Sequence, residues 1–245
     1  MTPPGSDDRE AERPLGRRVV LGTLGISALG IVFGARAQSR LNRLMLPITL
    51  RDPSGLTGLL PAAGRFRIYS VTPHLPRRRP EDYELLVDGL VDRPTTFTYA
   101  DLVSKLPQTD LRRDFQCVTG WRVEDVPWVG VKLADVLDRV GVDPTATRVR
   151  FHSFDGVYTE SLSLEQARRD DVLVAHSREG DPLSTEQGGP ARLYVAPMYG
   201  YKSLKWLERI ELVDHLVEDG GYWEQRGYDL DAFIGRSNGG HEAPS

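Results

Sequence analysis

Residues 115–121 read Phe115-Gln116-Cys117-Val118-Thr119-Gly120-Trp121, and Val126-Pro127-Trp128-Val129-Gly130 follows close behind. Residues 114–117 have the character of a strand end, and Gly120, Pro127 and Gly130 predict an irregular loop after it. A thiol where a strand opens into such a loop is positioned to project into a cavity. Cys117 is the single cysteine of the 245 residues. It forms no intramolecular disulfide, and one thiol does not build a Cys-rich zinc or iron–sulfur site. The bland reading of a lone cysteine is a small buried hydrophobe. The chemical reading is a soft thiolate ligand for a transition metal, which requires another group to complete the coordination.

A second cluster begins at Gln187, 70 residues after Cys117: Gln187-Gly188-Gly189-Pro190-Ala191-Arg192-Leu193, then Pro197-Met198-Tyr199-Gly200-Tyr201-Lys202-Ser203-Leu204-Lys205-Trp206. Glycines allow close backbone approach. Arg192 offers a planar fork for a phosphate, Lys202, Ser203 and Lys205 add charge and donors, and N–H groups of such a loop can line an anion-binding nest. Taken alone, the cluster also reads as a Gly-Pro turn between strands carrying solvated lysines.

Outward from these clusters, strands are expected over 66–71, 84–87, 148–153, 172–175, 192–195 and 209–213, with turns at Asp88-Gly89, Asp155-Gly156 and Asp181-Pro182. Short helices are expected over 99–105 and 132–140, the latter with Leu133, Val136, Leu137 and Val140 at helical spacing and Gly141 as its stop. Ser163 and Gln166 fit a capping box that starts another. Strands and short helices mix without a β-α-β rhythm, so the fold class is α+β.

Composition is ordinarily globular, 40% hydrophobic and 27% charged, with a formal net charge of -4. That balance, with no basic stripe, excludes a nucleic-acid binder. Arg77-Arg78-Arg79 lies between Pro76 and Pro80 and reads as a solvated loop. At the N-terminus, Arg17-Arg18 precede an uncharged apolar stretch, 19–35, and Ala35-Arg36-Ala37 suits signal cleavage. This resembles a twin-arginine export signal, and the competing reading is an uncleaved membrane anchor. The expected organisation is a signal or anchor over 1–37, a lead segment over 38–65, one catalytic domain over 66–235 and a flexible tail over 236–245.

Together the two clusters resemble the molybdopterin-binding domain of the sulfite oxidase family, closest to the branch containing the periplasmic methionine sulfoxide reductase catalytic subunit. The residues that carry the resemblance are Cys117-Val118 and Trp121, Pro127-Trp128 and Gly130, Gly189-Pro190, Arg192-Leu193, and Tyr199 through Lys205. It implies the mixed-sheet fold of that family, here as a single catalytic domain without the C-terminal β-sandwich of sulfite oxidases. It implies a molybdenum–molybdopterin cofactor with Cys117 as the protein ligand to the metal. Tyr69, Ser70, Ser153, Gln187, Arg192, Ser203, Leu204 and Lys205 are then expected to bind the cofactor. Thr119, Trp121, His152, Tyr199, Tyr201 and Lys202 are expected to line the pocket. Thr119 stands where the methionine sulfoxide reductase branch has an acidic residue, which leaves the substrate open among sulfite, sulfoxides and other S- or N-oxides.

The activity so implied is two-electron oxygen-atom transfer on a small molecule, in an exported monomer that exchanges electrons with a membrane cytochrome or quinone-linked partner. There is no Cys-x-x-Cys-His for covalent haem. The alternative is a non-catalytic binding module that keeps the fold.

Overall fold

A computed structural model describes residue 66 and residues 68–118, 122–214 and 220–236. The expected signal, lead segment and most of the tail lie outside the described residues, as do Thr119 and Trp121.

The fold is α+β, with two sheets and few helices. The first sheet has the order β2-β1-β10-β5-β6: β2 is Thr95–Thr98, β1 Glu84–Gly89, β10 Leu207–Val213, β5 Arg148–Ser153 and β6 Thr159–Ser163. It is mixed, because β1 and β10 run parallel while its other pairs are antiparallel. The second sheet is antiparallel, with β3 (Thr109–Gln116), β4 (Arg122–Lys132), β7 (Val172–Arg178) and the short β8 (Asp181–Pro182) in that order, and β9 (Arg192–Val195) also paired to β7.

Helix α1 (Tyr99–Ser104) starts at a Thr98–Asp101 capping box, and α3 (Leu164–Ala167) at the expected Ser163–Gln166 box. In α2 (Leu133–Val140) the four apolar residues at helical spacing are all fully buried, and Gly141 ends the helix with φ 73°. The main core gathers α2 with Leu85, Val149, Phe151, Leu162, Val174, Leu193 and Ile210. A second apolar cluster, with Phe115, Trp128, Leu173 and Tyr194, includes side chains of β3, β4, β7 and β9.

Two expectations fail. Pro127, Trp128 and Gly130 do not lie in a loop but inside β4, an eleven-residue strand. Pro127 is tolerated because its carbonyl accepts from Glu179 N–H, so its nitrogen faces the same side, one residue beyond the last β4–β7 pair, Trp128 with Arg178. Gly130 is required where β4 shifts register, because a Cβ there would stand 2.3 Å from the Val174 carbonyl oxygen. Conversely, residues 68–71 form no strand. Ile68 and Tyr69 are exposed, and the segment runs along a cavity instead of pairing.

Candidate active site

β3 ends at Gln116, so Cys117 is the first residue past the ladder, and its register is held by pairing with β4. Cys117 lines a cavity of about 450 Å³. The second cluster reaches the same cavity from the other direction. After β9, residues 200–202 form one tight turn, and Gly200 packs against the Phe115 ring; a Cβ on Gly200 would come within 2.5 Å of that ring. The absent side chain thus lets the two sequence clusters close on each other.

Arg192 is buried at the cavity wall. Its guanidinium donates to the carbonyls of Gln187 (2.8 Å), Ser203 (2.6 Å) and Leu193 (3.3 Å), which ties the 187–189 turn to the 200–205 loop. Three of its five N–H donors are used in this way, and two remain. Burial lowers its pKa to about 10. Lys205 bonds the Tyr69 carbonyl at 2.5 Å and lies 4.2 Å above the Trp206 ring. Burial, reinforced by Arg192, pushes the Lys205 ammonium down to about 8. Two cations therefore share one wall under a desolvation cost that an anion there would relieve.

This has a measurable consequence. Lys205 is charged below about 8 and neutral above it, and a bound anion favours the charged form. Sulfate keeps its own charge across this range. Its affinity for the cofactor-free protein is expected to fall roughly tenfold between pH 7 and 9.5 in calorimetric titrations. Lys205→Met should bind weakly and without that pH dependence; an unchanged slope in the variant would refute the assignment.

Of the expected site residues, Cys117, Tyr69, Ser70, Gln187, Arg192, Tyr201, Ser203 and Lys205 come together around the cavity. The structure does not bring five others to its wall. Ser153 is buried and accepts from Asp155 N–H, so it positions its neighbour. Strand alternation in β5 turns His152 to the face opposite Phe151, where it meets Glu211 at 3.0 Å. Leu204 is a core side chain, and Tyr199 packs half-buried on the same core. Lys202 is fully buried in an ion cluster.

Residues that sequence reasoning missed stand in their place. Asp155 and Arg178 line the cavity, and each has a buried polar atom, Oδ2 and Nε, without a hydrogen-bond partner. Tyr158, Tyr222, Trp223 and Tyr228 add an aromatic wall. Asp155 carried only a turn signal; residues 222–228 follow the last strand and carried none.

The chain is similar to several known proteins. The family model described as oxidoreductase molybdopterin binding domain matches residues 72–223. An "uncharacterized oxidoreductase YuiH" of Bacillus subtilis is 34% identical over 148 residues, which are 60% of this chain and 73% of that protein. The protein-methionine-sulfoxide reductase catalytic subunit MsrP of Ralstonia nicotianae is 32% identical over 56% of this chain, and that of Gluconobacter oxydans 31% over 56%. These matches span about half the length of the MsrP proteins, 45% and 48%. The crystal structure of the sulfane dehydrogenase SoxCD from Paracoccus pantotrophus superposes with a TM-score of 0.53 at 27% identity, covering 59% of this chain and 41% of that one. With the family model matching more than half of its length, the chain belongs to the oxidoreductase molybdopterin-binding domain family.

Proposed function

We propose that this chain is a molybdenum–pterin oxidoreductase that performs two-electron oxygen-atom transfer on a small sulfite-type, S-oxide or N-oxide substrate and exchanges electrons through a separate redox partner. The observation that carries this reading is one cavity that joins a single thiol, Cys117, to the Arg192–Lys205 cation pair.

The donor set fits a pterin-borne metal. Among the described residues no group of three or more His, Cys, Asp or Glu is arranged to hold a metal ion. A metal beside Cys117 would then take its remaining ligands from another group, and a pterin dithiolene brings two sulfurs. Arg192 and Lys205, with Ser203, suit its phosphate. Asp155 Oδ2 and Arg178 Nε, both buried without a partner, suit its polar edges. Once bound, the cofactor supplies the two-electron oxygen-atom chemistry; the protein supplies binding, orientation and electrostatics. Cys117 holds the metal. Tyr158 and Tyr201 donate their hydroxyls to backbone carbonyls, at 2.7 Å each, and so line the cavity with their hydroxyl protons already engaged. The aromatic wall excludes water from the reacting centre.

A partner must carry the electrons, because one cysteine leaves this chain without ligands for a second thiolate-bound centre. A membrane cytochrome or quinone-linked subunit suits that role. Arg17-Arg18 ahead of the apolar 19–35 stretch supports export of a folded, cofactor-loaded protein, which we take to be a monomer with its catalytic domain over 66–235. Among the described residues no helix is long and apolar enough to cross a membrane; the 19–35 segment lies outside them.

The test is metal analysis and turnover of protein purified from a host that makes the pterin. One molybdenum per chain, with oxidation or reduction of one of these substrate classes by artificial electron carriers, is the expected result. Folded protein without molybdenum would overturn the reading and favour a binding module.

A further inference from the structure

Lys202, Glu160 and Glu224 form the most deeply buried charge cluster of the described molecule, with side chains 0%, 0% and 5% exposed. The Lys202 ammonium donates to Glu160 Oε1 at 2.5 Å, to Glu224 Oε1 at 2.6 Å and to the Ser161 carbonyl at 2.8 Å, which uses all three of its protons. Glu224 Oε2 accepts from Gly221 N–H at 3.0 Å. Glu160 Oε2 has no partner. Removing such ions from water costs several kcal/mol each, and apolar residues of equal size often serve stability as well or better. A cluster of this kind therefore calls for a role other than stability.

Its position supplies one. The three residues come from three places: Glu160 from β6, Lys202 from the turn that leads to Ser203 and Lys205, and Glu224 from residues 220–228, which contribute to the cavity wall. Glu224 is the only member on that segment, and Tyr222, Trp223 and Tyr228 of the segment all face the cavity. Tyr222 stacks on Tyr158 at 5.4 Å, Trp223 lies 5.0 Å from Tyr228, and Tyr228 lies 5.3 Å from Tyr201. Tyr228 and Cys117 line the same cavity. The segment approaches β6 with no room to spare: Tyr222 N–H bonds the Thr159 carbonyl at 2.9 Å, and a Cβ on Gly221 would come within 2.6 Å of the same oxygen.

We propose that Lys202 is a positioning residue whose paired bonds to Glu160 and Glu224 lock residues 220–228 in place as an aromatic wall of the cavity that Cys117 lines. The motif lysine thereby acts from behind the wall and never touches cofactor or substrate. The proposal deepens the oxidoreductase reading, but its readouts do not depend on turnover.

Lys202→Met and Glu224→Gln test it by acrylamide quenching of Trp223, isolated by difference from Trp223→Phe in each background, and by limited proteolysis of the folded proteins. Glu224→Gln keeps the shape of the side chain and guards against a Lys202 variant that fails to fold. The expected result is a quenching constant for Trp223 at least twofold higher, with first cleavage moving into 220–228, at temperatures well below melting and with the pterin content of the loaded protein retained. A purely structural role would lower the melting temperature and leave native-state quenching unchanged in both variants, and that outcome would overturn the proposal. Loss of molybdenum from wild type would count against the oxidoreductase reading alone.

Discussion

Cys117→Ala is expected to lower turnover by more than about 100-fold, since even partners one shell out from a metal cost 10–100-fold when removed. Cys117 is the single cysteine of the chain and the one thiol in the cavity wall. No other described side chain is arranged to replace it in a metal-binding group. Its placement comes from β3, which ends one residue earlier, so the substitution removes a half-exposed thiol without disturbing the β3–β4 ladder. The variant should fold normally. Arg192, Ser203 and Lys205 are untouched, so the pterin should stay bound through its phosphate at near wild-type content, read by fluorescence of the released pterin. Surviving activity would remove Cys117 from the mechanism. Folded protein that had lost the pterin would instead show that the thiol, and not the cations, holds the cofactor.

Arg192→Met is expected to act on stability and cofactor together. The residue is 5% exposed, and its guanidinium bridges carbonyls of residues 187, 193 and 203 and lies 5.5 Å from the Trp128 ring and 5.7 Å from the Phe115 ring. Taking it away leaves buried carbonyls unpaired, at about 1–3 kcal/mol for each that water does not reach. Burial of the cation already carries a cost, visible in the lowering of its pKa to about 10, and methionine removes that cost. A net loss of about 3 kcal/mol follows, which lowers the melting temperature by roughly 6–12 °C. The turn and the loop come apart with it, so bound pterin should drop below about a tenth of wild type. Arg192→Lys should not rescue, because one ammonium does not span three carbonyls set at guanidinium geometry. A melting temperature within about 2 °C of wild type, with the pterin retained, would refute the bracing role.

Some elements were legible because their signals are local. Helix α2 follows from four apolar residues at helical spacing and a glycine stop, and α3 from the Ser163–Gln166 capping box. Strands β5 and β9 have the bounds their alternation or apolar run indicates. Strand β4 was not legible, since Pro127 and Gly130 are loop residues by propensity; the end of β7 and the register shift beside it make room for both. The 66–71 stretch alternates like a strand, but among the described residues 68–71 pair with no neighbouring edge.

The same division runs through the site. Cys117 and Arg192 could be named from sequence because each is singular in its motif: one thiol where a strand opens, one guanidinium after a Gly-Pro turn. The chemistry class came from the family resemblance that the two motifs carry together, since each alone also reads as a small buried thiol or a Gly-Pro turn. Which lysine of the second cluster faces the cavity was a tertiary decision. Lys202 and Lys205 are three apart in one loop, yet the turn at 200–202 sends the first into the core against two carboxylates from β6 and the C-terminal segment, and leaves the second beside Arg192. Asp155, Arg178, Tyr222, Trp223 and Tyr228 were likewise invisible, because they come from three separate stretches of the chain and meet only once the strands pair. Residue type and local spacing determine what chemistry a chain can offer; long-range packing decides which of those groups share one water-poor space, and no local signal encodes that distance.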